Sequence, residues 1–246
     1  MKSPIGSILV PCYNEELRLK FEYFDSLSKK LSKLGFEIVF VNDGSTDGTL
    51  RKIQEFNFRY RIYDLKLNQG KAEALRKALS QELINPNIRI IGYLDSDGAF
   101  STTDIEMFIK KFIFDAEFAK YHVLSAARVK LAGAIIERKA IRHFIGRLVS
   151  TFINSGSKTR IYDPQSGFKL FRVSNTLKNA VEKPFVTRWF VDLEILKFYT
   201  NQQDFIIEVP VTSWIDVSGS KIQPIQFPRI LSDLIKIKYK YKGRSL

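Results

Sequence analysis

One cysteine, Cys12, stands in 246 residues. No internal disulfide can form, and such sparing cysteine use fits a reducing cytoplasm. The two histidines, His122 and His143, have no Cys or His neighbours that would complete a metal-binding set. No uncharged apolar run reaches the ~18 residues that a membrane-spanning helix needs, so none is expected. The apolar stretch near the start, Ile8–Val10, is too short for a signal peptide and reads as a first strand. Neither Gly-x-Gly-x-x-Gly nor a P-loop pattern occurs, which leaves dinucleotide and P-loop chemistry without support. Internal repeats, low-complexity tracts and evident linkers are also missing.

What remains is an ordinary globular composition, 45% apolar and 26% charged, long enough for one large domain or two small ones. The expected division is a main domain over residues 1–225 and a basic amphipathic segment over 226–246. The net charge of +13 is concentrated in two places. Residues 121–160 hold eight Lys/Arg against Glu137, and residues 221–246 hold seven against Asp233. These excesses of +7 and +6 account for the whole net charge and leave a neutral body. Basic segments on a neutral body imply an anionic partner: a phospholipid surface, a phosphorylated substrate or nucleic acid.

Strand-like and helix-like segments alternate along the chain. Strands are expected at Ser7–Val10, Phe36–Val41, Arg61–Leu67 and Ile88–Leu94, with helices at Glu15–Leu34, Thr49–Phe56 and Gly70–Leu83. Such units predict an α/β fold, a doubly wound, mostly parallel sheet with helices on both faces. Beyond them, His122–Ala127, a short strand before Arg172 and Phe205–Val211 read as strands. A basic amphipathic helix is expected over Arg138–Phe152 and another helix opening at Arg188. The tail 227–242 fits both a helical stripe and a period of two; the helix is preferred, as a C-terminal amphipathic extension.

Ligands of such sheets gather at the carboxyl ends of the strands. Here those ends read Pro11-Cys-Tyr-Asn-Glu15, Asn42-Asp-Gly-Ser-Thr-Asp-Gly48 and Asp95-Ser-Asp-Gly98, each polar and acidic. Residues two apart on extended backbone point the same way, so Asp95 and Asp97 aim two carboxylates at one point. That pattern serves either an acidic surface turn or a pair of oxygen ligands for Mg2+ or Mn2+.

In this order and spacing, Val10-Pro-Cys-Tyr-Asn-Glu15, Val41-Asn-Asp-Gly-Ser-Thr-Asp-Gly-Thr49, Asn68-Gln-Gly-Lys71 and Asp95-Ser-Asp97 resemble family 2 glycosyltransferases of the GT-A (Rossmann-like) fold. Asp163-Pro-Gln-Ser-Gly-Phe-Lys-Leu-Phe171, Arg188-Trp-Phe-Val-Asp-Leu-Glu194 and Gly219-Ser-Lys221 resemble its dolichyl-phosphate hexosyltransferase branch, nearest the β-glucosyl members. The resemblance implies a nucleotide-sugar donor bordered by Pro11, Tyr13, Glu15, Asp43 and Ser96, with Lys71 near its phosphates. It also implies a divalent metal, Mg2+ or Mn2+, on Asp95 and Asp97. Ala99 departs from mannosyl-transferring relatives, since alanine offers no side-chain ligand, and this favours the glucosyl branch.

Arg128 and Arg142 match positions expected to meet an acceptor phosphate, with Arg147, Ser166 and Lys169 beside them. A polyprenyl phosphate is already anionic and needs cationic clamping more than a base. A sugar hydroxyl, the alternative acceptor, needs a carboxylate base, for which Asp192 is first choice and Glu194 the reserve. Asp43, Asp47, Asp163 and Gln165 also suit plain turns. The implied activity is an inverting hexosyl transfer from UDP-glucose to polyprenyl phosphate, by a peripheral protein at the cytoplasmic face of an anionic membrane. A nucleic-acid-binding module suits the charge but leaves the acidic strand ends unexplained, so no nucleic acid partner is expected.

Overall fold

A computed structural model describes residues 3–137, 146–147, 149–151, 154, 160–200, 205–217 and 227–241. Its centre is a seven-stranded sheet in the order β3-β2-β1-β4-β7-β5-β8. The strands are β1 (Gly6–Cys12), β2 (Phe36–Asp43), β3 (Tyr60–Leu65), β4 (Ile90–Leu94), β5 (Val123–Ala127), β7 (Phe168–Arg172) and β8 (Ile206–Pro210). All neighbours run parallel except β7, which pairs antiparallel with both β4 and β5. A separate parallel ribbon joins β6 (Ile135–Glu137) to β9 (Ser213–Ile215).

Alternation along each strand sends side chains to opposite faces and builds two cores. Ile8, Val10, Ile38 and Phe40 pack with helices α1 (Phe21–Lys33), α2 (Thr49–Gln54) and α4 (Thr102–Phe114). Leu9, Val39 and Val41 pack with α3 (Lys71–Glu82), α5 (Asn175–Glu182), α6 (Val191–Leu196) and α7 (Phe227–Lys240). Every residue of β2 is buried, as expected for an inner strand of a parallel sheet covered on both sides. The tail is helical, and Leu234 and Ile237 on α7 join the second core.

The helix expected from Glu15 begins only at Phe21. Residues 15–19 instead form a turn, because the Glu15 carbonyl accepts from the Arg18 and Leu19 amides. The third strand runs Tyr60–Leu65 rather than Arg61–Leu67. Of the expected helix Arg138–Phe152, residues 146–147 and 149–151 are helical and 138–145 lie outside the described residues. Helices α4 and α5 and the β6–β9 ribbon are additions.

Candidate active site

The three acidic strand ends lie along one rim and are tied to one another. Asn14, with φ 50°, donates its amide to Ser45 Oγ at 3.1 Å, and its side-chain oxygen accepts from the Thr46 amide at 2.8 Å. The Glu15 amide donates to Thr49 Oγ1 at 2.7 Å, and Glu15 is buried with its carboxylate against Arg18. Asp47 accepts from Thr49 and from the Glu16 amide, so it is a turn residue that locks the first two loops together. Pro11 and Tyr13 are half-buried in the same stretch.

Asp43, 2% exposed, holds the third piece of the rim. Its carboxylate accepts from the Gln69 and Gly70 amides, each at 2.8 Å, and from Asn68 Nδ2 at 2.9 Å. Burial pushes this carboxyl above the ordinary range, and the two amides pull it back. Gly70 has φ 91°, and a Cβ there would lie 2.8 Å from the Arg188 carbonyl oxygen. Only glycine lets the loop turn that sharply against its neighbour, and the turn starts α3 at Lys71.

Lys71 Nζ reaches Asp95 Oδ1 at 2.5 Å and sits 5.6 Å from the centre of the Tyr93 ring. Burial works against its charge, but Asp95, Asp192 and Asp97 outweigh that and hold it above the ordinary lysine value. Asp97 accepts from the Ala99 amide at 3.1 Å and meets Arg18 Nη2 at 3.4 Å. Burial first, and the charge of Asp95 second, push its carboxyl upward. Ser96 between them is buried. Among the described residues no three His, Cys, Asp or Glu side chains gather to hold a metal. The crowded Asp95/Asp97 pair nevertheless fits a hard divalent cation, since such an ion relieves their repulsion and takes its other oxygen ligands from a bound phosphate or water.

The antiparallel strand β7 brings residues 163–169 to the same rim. The Asp95 amide donates to the Gly167 carbonyl at 2.9 Å, and a Cβ on Gly167 would fall 2.2 Å from Asp95 Oδ2. Arg128, just past β5, is gripped by Asp163 through Nε and Nη2, each at 2.7 Å, and lies over the Trp214 ring at 5.1 Å. Burial disfavours its charge; Asp163, with help from Asp95 and Asp97, more than restores it. Asp163 and Gln165, the latter through its carbonyl, therefore set the guanidinium.

Two other residues expected at the acceptor are placed differently. Lys169 is fully buried, and its Nζ donates to the Ser166 carbonyl at 2.7 Å and to Asp192 Oδ1 at 2.8 Å. Burial pushes the Asp192 carboxyl up to about 7 and the Lys169 ammonium down to about 7. The 2.8 Å contact between Lys169 Nζ and Asp192 Oδ1 has the geometry of an ion pair. Ser166 is fully buried as well, its hydroxyl without a partner among the described residues. Glu194 is fully buried and accepts from the Val186 and Thr187 amides, Thr187 Oγ1, Lys240 Nζ and Tyr241 OH. It pins α7 and the loop before α6. Exposed Arg147 lies 5.0 Å over the Tyr162 ring, and Arg142 lies outside the described residues.

Arg18, Arg188 and Gly167 were not among the residues expected at the rim. Arg188 donates from its guanidinium to Asn68, while its carbonyl accepts the Ala72 amide at 3.0 Å. Its place directly before the Trp-Phe-Val-Asp stretch was a signal; Arg18 carried none, because its site contacts arise only from the turn at residues 15–19.

Taken together, the sheet order, the acidic rim and the guanidinium facing it define a GT-A hexosyltransferase. The chain belongs to glycosyl transferase family 2, whose family model matches residues 7–175. A dolichyl-phosphate beta-glucosyltransferase of Saccharomyces cerevisiae is 31% identical over 256 residues, covering 96% of this chain and 74% of the relative. One from Dictyostelium discoideum is 26% identical over 258 residues, covering 98% and 77%. Among solved structures, glucosyl-3-phosphoglycerate synthase from Mycobacterium tuberculosis with Mn2+, UDP and phosphoglyceric acid superposes with TM-score 0.69 at 17% identity, covering 98% of this chain and 79% of that one. At that identity the likeness is one of fold.

Proposed function

We propose that this protein moves glucose from UDP-glucose onto a polyprenyl phosphate with inversion at the anomeric carbon. One observation carries the choice of acceptor: both carboxylates suited to act as a base are already committed. Asp192 is in ion-pair contact with Lys169, and Glu194 accepts five hydrogen bonds. A sugar hydroxyl would need one of them released, whereas a phosphate attacks as the anion it already is. The relatives named for dolichyl phosphate and glucose support the same reading.

In this scheme Pro11, Tyr13, Glu15 and Ser96 border the nucleotide, and Asp43 holds the 68–70 loop against it. Lys71 neutralises donor phosphate charge from its place beside Asp95. Asp95 and Asp97 would hold a divalent ion, which would supply Lewis-acid stabilisation of the departing diphosphate; Mn2+ accompanies UDP in the structural neighbour. Arg128, oriented by Asp163 and Trp214, clamps the acceptor phosphate, with Arg142 and Arg147 as further cations. Ser166 and Lys169 form the floor beneath that clamp. Helix α7, with Leu231, Ile235 and Tyr239 exposed beside Lys236 and Lys238, lies on an anionic membrane surface. No helix among the described residues is long and apolar enough to cross a membrane.

The test is a panel of nucleotide sugars and acceptors, with isolated polyprenyl phosphates against glycans, scored for sugar-lipid product. Glucosylated lipid phosphate is expected from UDP-glucose. Transfer only to glycan hydroxyls, lost in Asp192→Asn, would overturn the acceptor assignment.

A further inference from the structure

One carboxylate of the sheet has no part in the reaction scheme. Glu208 lies half-buried on β8, the last strand of the sheet, beside Ser125 of β5. Both its oxygens turn onto the loop that leads into β7. Oε2 accepts the Tyr162 amide at 2.6 Å, and Oε1 accepts the Asp163 amide at 2.8 Å. Asp163 is the residue that grips Arg128, so Glu208 meets the backbone at the root of that grip.

The rest of this loop is tied at its two ends. Ile161 exchanges hydrogen bonds with the Asn154 side chain, each at 2.8 Å, and the Gly167 carbonyl accepts the Asp95 amide. Between those ends the Ser166 amide closes a turn onto the Asp163 carbonyl at 3.2 Å, while the Gln165 carbonyl accepts from Arg128 Nη2 at 3.1 Å. The Tyr162 and Asp163 amides are held by Glu208, which fixes the backbone on both sides of the Asp163 side chain's neighbour peptide.

The chemistry of this tie is specific. Burial pushes the Glu208 carboxyl above its ordinary range, the two amides pull it back, and the charge of Asp163 pushes it up again. A second acid near Asp163 is therefore unfavourable in itself. What it supplies is acceptor capacity on both oxygens and no donor, so two adjacent amides are fixed at once. Arg128 needs that precision: its planar fork meets Asp163 through Nε and Nη2, each at 2.7 Å, and both bonds fail together if Asp163 turns. We propose that Glu208 is a positioning residue that acts through the 162–163 backbone and Asp163 to aim the Arg128 guanidinium at an anionic group on the rim. That this group is the acceptor phosphate rests on the polyprenyl-phosphate reading.

The test combines Glu208→Gln with Arg128→Lys in a double-mutant cycle. Glutamine keeps the volume of glutamate but has one acceptor oxygen, and its NH2 opposes the second amide. If it does not fold by circular dichroism, Glu208→Asp, one methylene too short to reach both amides, takes its place. With a short isoprenyl phosphate, Glu208→Gln should raise acceptor KM roughly tenfold, as for a lost charge-assisted hydrogen bond, and leave kcat and donor KM within about twofold. Added to Arg128→Lys it should cause no further loss, because the fork it serves is already gone. Losses that add, or no change in either KM, overturn the proposal. A second readout needs no acceptor. Arg128 lies over the Trp214 ring, where the ring quadrupole holds it, and its displacement changes the indole emission. In a Trp189→Phe background, Glu208→Gln should shift Trp214 emission in the same direction as Arg128→Lys; emission unchanged from wild type overturns the positioning. If emission shifts and the losses do not add, yet they fall on the UDP-glucose KM, Glu208 still positions Arg128 and the acceptor reading fails.

Discussion

Replacing Lys169 with methionine tests the buried ion pair at the floor of the site. Lys169 is fully buried, its 2.8 Å partner Asp192 is 7% exposed at the side chain, and methionine fills most of the same space without a charge. The Asp192 carboxylate is then left in a dry site that already pushes it upward, and it takes a proton. Holding a carboxyl of ordinary pKa ~3.9 neutral at pH 7 costs about 4 kcal/mol, and at pH 5 about 1.5 kcal/mol. The first figure falls within the ~3–5 kcal/mol typical of breaking a buried pair by removing one partner. The sign follows from linkage: a carboxyl whose folded pKa is raised keeps full stability below its unfolded value and loses it as pH rises toward the folded one. Urea unfolding should therefore show Lys169→Met strongly destabilised at pH 7 and much less so at pH 5. Adding Asp192→Leu removes the stranded charge and should restore most of the loss. A variant with the same small deficit at both pH values would refute a buried ion pair here.

Asp95→Asn with Asp97→Asn should abolish metal-dependent donor turnover while leaving the unfolding midpoint near wild type; retained turnover would remove the metal from this pair. Gly167→Ala places a methyl 2.2 Å from Asp95 Oδ2, so Mn2+-dependent UDP binding measured by calorimetry should weaken at least ~10-fold, as expected when a ligand group is displaced. Arg128→Lys keeps the charge but loses the fork that meets Asp163, and it should raise acceptor KM far more than donor KM. Equal effects on both substrates would mean that Arg128 serves the donor. Charge reversal of Lys236 and Lys238 should weaken binding to anionic vesicles in a salt-dependent way; the same binding at low and high salt would set α7 aside as a membrane contact.

The rim was legible because its chemistry is local. Asp95 and Asp97 follow directly on the strand that ends at Leu94, in a turn rather than on its pleat, and the turn-rich strings after Cys12 and Val41 announce where the strands stop. Helix α3 could likewise be read from its spacing, whereas the tail fitted both a helical stripe and a period of two, and the packing of Leu234 and Ile237 goes with the helix. The start of α1 could not, because Glu15 and Arg18 are held in a turn by contacts with Thr49 and Asp97, residues distant in sequence. Helix α4 was missed although Ser101 caps it by accepting the Thr103 amide. The roles of Lys169 and Asp192 were equally hidden: in sequence they are a cation and an acid 23 residues apart, and only packing turns them toward each other.

By itself the sequence determined the strand-turn-helix order, the acidic strand ends and the family, since each depends on neighbours along the chain. The tertiary structure decided which charges remain available. Antiparallel β7 runs between β4 and β5, and in doing so it buries Lys169 against Asp192 and sets Gly167 on Asp95. It also brings Asp163 to Arg128. Whether a carboxylate is a base, a tether or half of an ion pair depends on what lies within about 3 Å of it, and that distance is fixed by the fold.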